Sequence, residues 1–589
     1  MARRRDAPAG TVGGRERLPL RGTIDPVPIY EKWELAEARD ARIPIAHAAL
    51  RSIFARRGIV DDDTFRRFVA PTSADLHDPS TIHGMAYACD RIERAVRDRE
   101  AIVIYGDYDV DGVTSIVLLQ TVLKSLGADV TFVVPHRLVD GYGLKIEVLE
   151  RVLVDRNVKL VITVDCGITS VEPVQRAIER GIDVIITDHH LPPGVLPEAA
   201  AVLNPKQPGC EYPFKDLAGV GVAFKLCCEL IRRNNKKISI DSLLKIAAIG
   251  TIADVAPLVG ENRTIAWLGL RGLADVRNAG LRALLRRTGI YGRTLRASDV
   301  GFKLGPRINA AGRLASANTA IDLFAATDDD AAWLLCAELD RMNAERQAVE
   351  AEVRAQAEEQ VAALPGGRVA GDNRVLILAG TGWHKGVLGL TAGRIAQKYY
   401  RPTLAMSIEN GRCVGSARSI ATISLHAQLE RVADCFTHFG GHEFACGFSL
   451  PTHRIEELRE RLTAVFDELD ASLFVRSASV DAEVGLREID EEFVMAHEML
   501  EPFGAANPQP LFLTKRATVV ATRPFAEDCC ELTMERDGVR APAVLWPSVK
   551  QLGDEIAKHG TVDFLFTLEP DAWAPHGAKL IIVDARRSE

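Results

Sequence analysis

Hydrophobic positions along the chain follow two rhythms. From Ile102, short β-branched runs are separated by stretches of helical character, in the order IVIYG, VTSIVLLQTVLKSLG, DVTFVVP, KLVITVD, SVEPVQRAIERG and DVIITD. Strand-length apolar runs that alternate with helices predict a doubly wound parallel sheet, because parallel neighbours need a crossover helix between them. A second such region starts at Arg374, with VLILAG as strand, GVLGLTAGRIAQKYY as helix, TLAMSI as strand and a turn at Glu409-Asn410-Gly411; it predicts a smaller α/β domain. Residues 328–364 contain strong helix formers with no Gly or Pro, and the run stops at Pro365-Gly366-Gly367, which predicts one long helix joining two lobes. After the helix-like EELRERLTAVFDELD, the tail from about Ser477 becomes strand-rich with Gly and Pro punctuation (ATVVATRPF, APAVLWP, VDFLFTLEP, KLIIVDARR), which predicts a small β-barrel. The expected divisions are a tail at 1–25, a helical segment at 26–85, α/β domains at 86–325 and 367–468 around a helix at 326–366, and a barrel at 475–589.

Composition adds limits. With 589 residues, 47% of them hydrophobic, the chain can bury roughly three or four cores. A formal net charge of -8 exerts no global pull on a polyanion, so any nucleic-acid contact must come from local basic clusters or bound cations. Eleven cysteines include adjacent pairs at Cys227/Cys228 and Cys529/Cys530 but no C-x-x-C, which argues against a disulfide framework or structural zinc and favours a reducing cytoplasm. No run of eighteen apolar residues and no secretory apolar stretch is present, so a soluble, unexported protein is expected. Met1 to Thr23 is rich in Arg, Gly and Pro, as in a disordered basic tail.

The chemistry starts at Tyr105-Gly106-Asp107-Tyr108-Asp109-Val110-Asp111-Gly112, where three carboxylates alternate between a strand and a helix. Such crowding is self-repulsive without cations. A calcium loop of the EF-hand type is excluded: counting from Asp107, position twelve is Leu118, where a bidentate Glu is required. A solvated acidic turn is the plain alternative, but Asp165 in VITVDCGIT and Asp188-His189-His190 in VIITDHH also stand where strands of the same sheet end. Ligands of open α/β sheets bind at those carboxyl ends. Asp254, in AAIGTIADVAPL, adds another oxygen. Oxygen ligands with one or two imidazoles suit manganese or magnesium. Two such ions about 3.5 to 4 Å apart stabilise the attacking and leaving oxygens at phosphorus, so phosphoester hydrolysis needs no nucleophilic side chain.

In this order, Asp107 to Gly112, Asp165, Asp188 to His190 and Asp254 resemble the four signature motifs of the DHH phosphoesterase superfamily. Gly305-Pro306-Arg307-Ile308-Asn309-Ala310-Ala311-Gly312-Arg313 is similar to a segment of its single-strand exonucleases. Trp383-His384-Lys385-Gly386-Val387, Gly415-Ser416-Ala417-Arg418-Ser419 and Gly440-Gly441-His442 resemble the DHH-associated domain, and Pro502-Phe503-Gly504-Ala505-Ala506-Asn507-Pro508 resembles the entry to an oligonucleotide-binding barrel. The resemblance implies an α/β, two-lobed fold: a parallel-sheet DHH domain and a DHH-associated domain joined by a long helix, followed by an OB-like β-barrel. It implies a 5′ to 3′ exonuclease that releases 5′-mononucleotides from single-stranded DNA with two divalent cations, Mn2+ or Mg2+, and acts in DNA repair and recombination. The implied partners are single-stranded DNA, a single-strand-binding protein and other repair or recombination proteins, with no membrane; the implied state is a cytoplasmic monomer.

Carried over residue by residue, Asp111, Asp165, His189 and Asp254 would hold one metal and Asp109, Asp165 and Asp107 the other. His190 would contact the scissile phosphate or assist the leaving group, with Asp188 orienting an imidazole. Arg307, Asn309, Arg313, His384, Ser416, Arg418, Gly440, Gly441 and His442 would bind phosphate or nucleic acid. The chain departs from the family in three places: Tyr105 stands where relatives can carry a metal-binding His, Ala506 stands where Gly is expected, and the acidic stretch Glu527-Asp528-Cys529-Cys530-Glu531 makes a poor DNA groove. Two other readings are a phosphodiesterase of short oligonucleotides or cyclic dinucleotides, disfavoured by the barrel-like tail, and a non-catalytic DNA-binding scaffold, disfavoured by the complete acidic set.

Overall fold

The computed structural model describes residues 30–137, 139–141, 143–153, 157–314, 316–364, 373–526, 529–546 and 561–588. The expected tail at 1–25, the helix stop at Pro365-Gly366-Gly367 and the acidic pair Glu527-Asp528 lie outside them.

The first sheet is built from β1 (Ala101–Gly106), β2 (Asp129–Val133), β3 (Val158–Val164), β4 (Asp183–Thr187) and β5 (Ala201–Leu203), all parallel, in the spatial order β2-β1-β3-β4-β5. Runs such as IVIYG are apolar at every position because helices cover both faces of the sheet. The order reverses between β1 and β3, the point where the following loops diverge to leave a crevice. Behind the sheet pack α1 (Val110–Leu126), α2 (Gly219–Arg233), α3 (Ile240–Ala253) and α4 (Gly260–Gly272), and α5 (Gly305–Leu314) leads towards the linker. The linker is α6 (Asp329–Ala362), 34 residues capped by the Asp328 side chain on the Ala331 amide, hence about 50 Å long. Its first half gives Cys336, Leu339 and Met342 to the core of the first sheet, and its second half gives Val353, Ala357 and Val361 to the next core.

The second sheet runs β9-β10-β8-β7-β6, with β6 (Leu376–Thr381) parallel to β7 (Thr403–Glu409) and the remaining pairs antiparallel: β8 (Arg412–Arg418), β9 (His438–His442) and β10 (Ala445–Pro451). The hairpin between β7 and β8 turns on Asn410 (φ 49) and Gly411 (φ 74), the left-handed pair that a two-residue turn requires. Five C-terminal strands, Phe512–Ala526, Cys529–Arg536, Val539–Leu545, Val562–Pro570 and Ala578–Arg587, close into a barrel because the first also pairs with the fourth.

The N-terminal segment differs from the helical reading. Two helices are present (Ala48–Arg56 and Asp62–Val69), but Lys32–Leu35 is a strand parallel to Ser477–Val480. Leu50, Phe54 and Phe68 share one core with Phe493, Phe512 and Phe564 of the C-terminal domain. A four-residue, mostly exposed strand whose partner lies over 400 residues away leaves no local pattern to read.

Candidate metal centre and phosphate site

Each acidic motif is delivered by a strand end. At the end of β1 the chain turns into α1 within three residues, and Asp109 caps the helix by accepting from the amides of Asp111 (2.9 Å) and Gly112 (3.1 Å). Asn309 of α5 accepts from the Val110 amide at 3.2 Å, which pins the same turn from above. Asp111, 1% exposed, accepts from the amides of Gly219 and Val220 at 2.7 Å each, so its carboxylate sits on the positive N-terminus of α2. Asp165, just after β3, has φ 59, a strained conformation for a non-glycine residue, and its amide donates to Thr187 O at 3.0 Å.

Asp188 follows β4 and is engaged on both oxygens. Its Oδ1 accepts from the amides of His189 and His190 and lies 2.7 Å from His190 Nδ1, while Oδ2 accepts from Ile168 N at 2.9 Å. His189 Nε2 lies 3.2 Å from Asp165 Oδ1, 3.9 Å from Asp254 Oδ2 and 4.0 Å from Asp111 Oδ2. Two sets of three potential ligands result, Asp111/His189/Asp254 and Asp107/Asp109/Asp165, each with its ligand atoms within 4.8 Å of one another; Asp165 also groups with His189 and His190.

Protonation follows from this crowding. Burial, reinforced by neighbouring carboxylates, holds Asp107 and Asp165 well above the usual carboxylate range and pushes Asp111 to about 7 and Asp254 to about 9. Burial, then the charge of His190, drives His189 down to about 3, so it presents a neutral imidazole. Asp188 goes the other way: burial would raise it, but the hydrogen bond and charge of His190 keep it below its ordinary value, and Asp188 in turn raises His190 against the same desolvation. Asp107 Oδ1 and His189 Nε2 are buried without a hydrogen-bond partner among the described residues. Neutral imidazole, buried carboxylate oxygens and atoms lacking donors fit divalent cations, whose charge would reverse the penalty for ionising these acids.

Beside this cluster lies a cationic patch. Arg313, at the end of α5, donates to Gly386 O at 3.2 Å, and burial, then Arg137, pushes its guanidinium down to about 10. Arg418 on β8 donates to Ser416 Oγ at 2.9 Å and is lowered by burial and then by Arg137. Arg137 stands 4.8 Å over the Tyr108 ring. Three guanidiniums from three segments thus repel one another next to the Asp107–Asp109 turn, an arrangement that an anion relieves. The second lobe also reaches the acidic edge directly: the His442 ring stacks on His190 with centroids 5.8 Å apart and planes 12° apart. Gly440 and Gly441 belong to the same hairpin, where a Cβ on Gly440 would meet nothing within 4 Å.

Two residues expected to bind phosphate have partners within the protein. Arg307 does not join the patch: its Nε pairs with Asp340 Oδ1 of α6 at 2.6 Å and its Nη1 donates to Lys303 O at 2.7 Å, so its charge is satisfied inside the protein. Asn309 accepts from the first amide of α1 with its side-chain oxygen. His384 has a partly structural task, accepting from the Gly386 amide at 3.1 Å beneath Arg313. Sequence reasoning missed Arg137, which stands in the loop after β2 outside any motif; its position beyond a strand end of the same sheet was the available signal. Lys206, whose charge reaches His189, Asp254 and His442, was missed for the same reason.

Comparison with known proteins agrees with this layout. Residues 101–251 match the DHH family, N-terminal domain; residues 372–468 match the DHHA1 domain; residues 480–584 match the RecJ OB domain. The single-stranded-DNA-specific exonuclease RecJ of Bacillus subtilis (strain 168) is 40% identical over 475 residues, 80% of this chain and 59% of that protein, so the chain spans less than two thirds of that relative. The protein of the same name from Salmonella typhimurium is 36% identical over 79% of this chain and 82% of its own length. Crystal structures of RecJ from Thermus thermophilus in complex with Mn2+ and with Mg2+ superpose with TM-scores of 0.79 and 0.72, at 29% and 26% identity, each over 95% of this chain and covering 80% and 79% of theirs. No helix among the described residues is long and apolar enough to cross a membrane. The chain is a member of the RecJ family of single-stranded-DNA-specific exonucleases.

Proposed function

We propose that the chain is a metal-dependent exonuclease that digests single-stranded DNA from its 5′ end to 5′-mononucleotides, in DNA repair and recombination. The observation that carries this reading is the placement of Asp165 in two ligand sets beside a buried cluster of guanidiniums. Asp111, Asp165, His189 and Asp254 hold one divalent cation and Asp107, Asp109 and Asp165 the other, with Mn2+ or Mg2+ as the ions. Bound there, such ions supply an activated water at neutral pH and stabilise both oxygens of the in-line displacement.

The residues do the rest. Asp188, saturated by three amides and the His190 ring, fixes that imidazole and raises its basicity beside the scissile phosphate, where its protonated form neutralises charge or protonates the leaving oxygen. Stacking on His442 holds the ring from the other lobe. Arg137, Arg313, Arg418 and Ser416 take up a terminal phosphate, which registers the first phosphodiester over the carboxylates and gives 5′ polarity. A single strand threads between the lobes, and a blunt duplex is excluded by width.

The test is digestion of an oligonucleotide labelled at either end, with Mn2+, Mg2+ or chelator, beside a dinucleotide and a blunt duplex. Immediate mononucleotide release from the 5′ label on the long single strand, abolished by chelator, is expected. Activity confined to the dinucleotide, equal cleavage of the duplex, or full activity in an Asp165→Ala variant overturns the reading.

A further inference from the structure

Asp254 ends α3, and the chain then turns through Val255 at φ 60 before reaching Leu258. A β-branched residue in the left-handed region is strained, so the turn must be held from outside. One fastener is internal: Asn262 Nδ2 donates to Pro257 O (3.1 Å) and to Asp216 O (2.6 Å). The other comes from the C-terminal domain, where Ala505 O accepts from the Leu258 amide at 2.8 Å.

Ala505 belongs to the Pro502–Pro508 segment, which the catalytic scheme leaves without a task. Asn507, 1% exposed, ties the segment together: its Nδ2 donates to Leu500 O (2.9 Å) and Pro502 O (2.8 Å), its Oδ1 accepts from Arg57 Nη1 (2.5 Å), and its backbone exchanges hydrogen bonds with Gly504. Arg263 of α4, buried against the Phe68 ring at 3.5 Å, donates to the carbonyls of Met499, Leu500 and Glu501 just upstream. The segment is therefore a rigid part, fixed to the catalytic lobe and the N-terminal helices alike. Residues 480–584 carry nine Lys and Arg against nineteen Asp and Glu, so the domain that supplies it exerts no net electrostatic pull on a polyanion.

We infer that Pro502–Pro508 is a positioning clamp for Asp254, through which the C-terminal domain sets the affinity of the metal centre. The inference rests on Asp254 being a metal ligand. Gly504 offers a clean way in. A Cβ there would lie 2.6 Å from Leu258 Cδ1 and 3.0 Å from its Cγ, and Leu258 is only 2% exposed, so the added methyl pushes the loop without deleting a hydrogen bond.

The experiment titrates Mn2+ into the full-length, chelator-stripped protein, reads free Mn2+ by electron paramagnetic resonance, and follows thermal melts of the metal-free form. Gly504→Ala is expected to weaken Mn2+ binding at least fivefold while the metal-free form still melts in one cooperative transition, and Leu258→Ala in the same chain to restore Mn2+ binding by removing the clash. If Gly504→Ala folds poorly, Arg57→Ala loosens the segment from its far side and carries the same expectation. Asp254→Asn separates the two layers of the argument. Weak binding in Asp254→Asn with wild-type binding in Gly504→Ala and Arg57→Ala overturns the clamp alone; wild-type binding in Asp254→Asn removes the ligand assignment beneath it. A raised KM for DNA with unchanged Mn2+ binding overturns the clamp in favour of a DNA contact.

Discussion

Gly219 opens α2 against the Asp165 carboxylate, and replacing it by Ala tests how tightly that carboxylate is placed. A Cβ at this position would lie 2.6 Å from Asp165 Oδ1, 2.8 Å from its Cβ and 2.9 Å from its Cγ, all inside ordinary contact distances. Either the Asp165 carboxylate moves by roughly 1 Å or the helix retreats, and the helix is held there by the bonds from Gly219 N and Val220 N to Asp111. Overpacking of this kind costs about 1 to 3 kcal/mol, and at the first position of α2 little of the interior helix preference of Ala over Gly is recovered. The variant is therefore expected to fold at moderately reduced stability. Catalysis is more sensitive, since a misplacement of about 1 Å costs on the order of 100-fold, or about 2.7 kcal/mol of activation free energy. Steady-state digestion of a single-stranded oligonucleotide at saturating Mn2+ should show kcat reduced about 100-fold, while urea unfolding stays cooperative and loses no more than about 1 to 3 kcal/mol. A kcat within threefold of the parent would refute the claim that Asp165 must stand where this glycine lets it stand.

Three further outcomes follow from the geometry. In the metal-free protein Asp111 and Asp254 have folded pKa values raised to about 7 and about 9 from 3.8, so the stability they lend is fully present below the unfolded value and lost as pH rises through the folded ones; the rise in melting temperature on adding Mn2+ should therefore grow between about pH 6 and pH 8.5, and a pH-independent rise contradicts the protonation scheme. Arg137→Ala should remove one charge-assisted contact of about 1.5 to 3 kcal/mol, raising KM for a 5′-phosphorylated strand roughly 10- to 100-fold and erasing its advantage over a 5′-hydroxyl strand; an unchanged ratio excludes Arg137 from the phosphate site. Ala506, exposed and at φ 57, holds its Cβ in a strained left-handed position; Ala506→Gly should add about 0.5 to 1 kcal/mol in denaturant unfolding, after the entropic loss of a glycine, and a destabilised variant would show that the methyl is packed.

The acidic residues were legible because their placement follows from a periodicity. Once IVIYG, KLVITVD and DVIITD are read as parallel strands, Asp107, Asp165 and Asp188 must share one sheet edge, and the structure places them there. Charge neutralisation was not legible. Arg307 and Arg313 stand six positions apart in one segment, yet Asp340 on a later helix takes the first and leaves the second turned towards the cluster. Arg137 became visible only through Tyr108, Arg313 and Arg418, which the fold brings to it. The left-handed turn at Ala506 accounts for the expectation of glycine there, whereas the use of its neighbour Ala505 as an acceptor for Leu258 is a tertiary fact that no local spacing encodes.

The core shared by Phe54, Phe68, Phe512 and Phe564 bears on how the protein is made. The two N-terminal helices leave the ribosome early, but the aromatic side chains that bury them are about 500 residues downstream, which at about 5 to 20 residues per second is a wait of roughly 25 to 100 s. Throughout that interval the nascent chain carries an apolar face with no native cover, within reach of chaperones and of neighbouring nascent chains. Ribosomes that stall before the barrel strands are made, or frameshifts within the stretch that encodes them, would thus be felt first at the helices Ala48–Arg56 and Asp62–Val69.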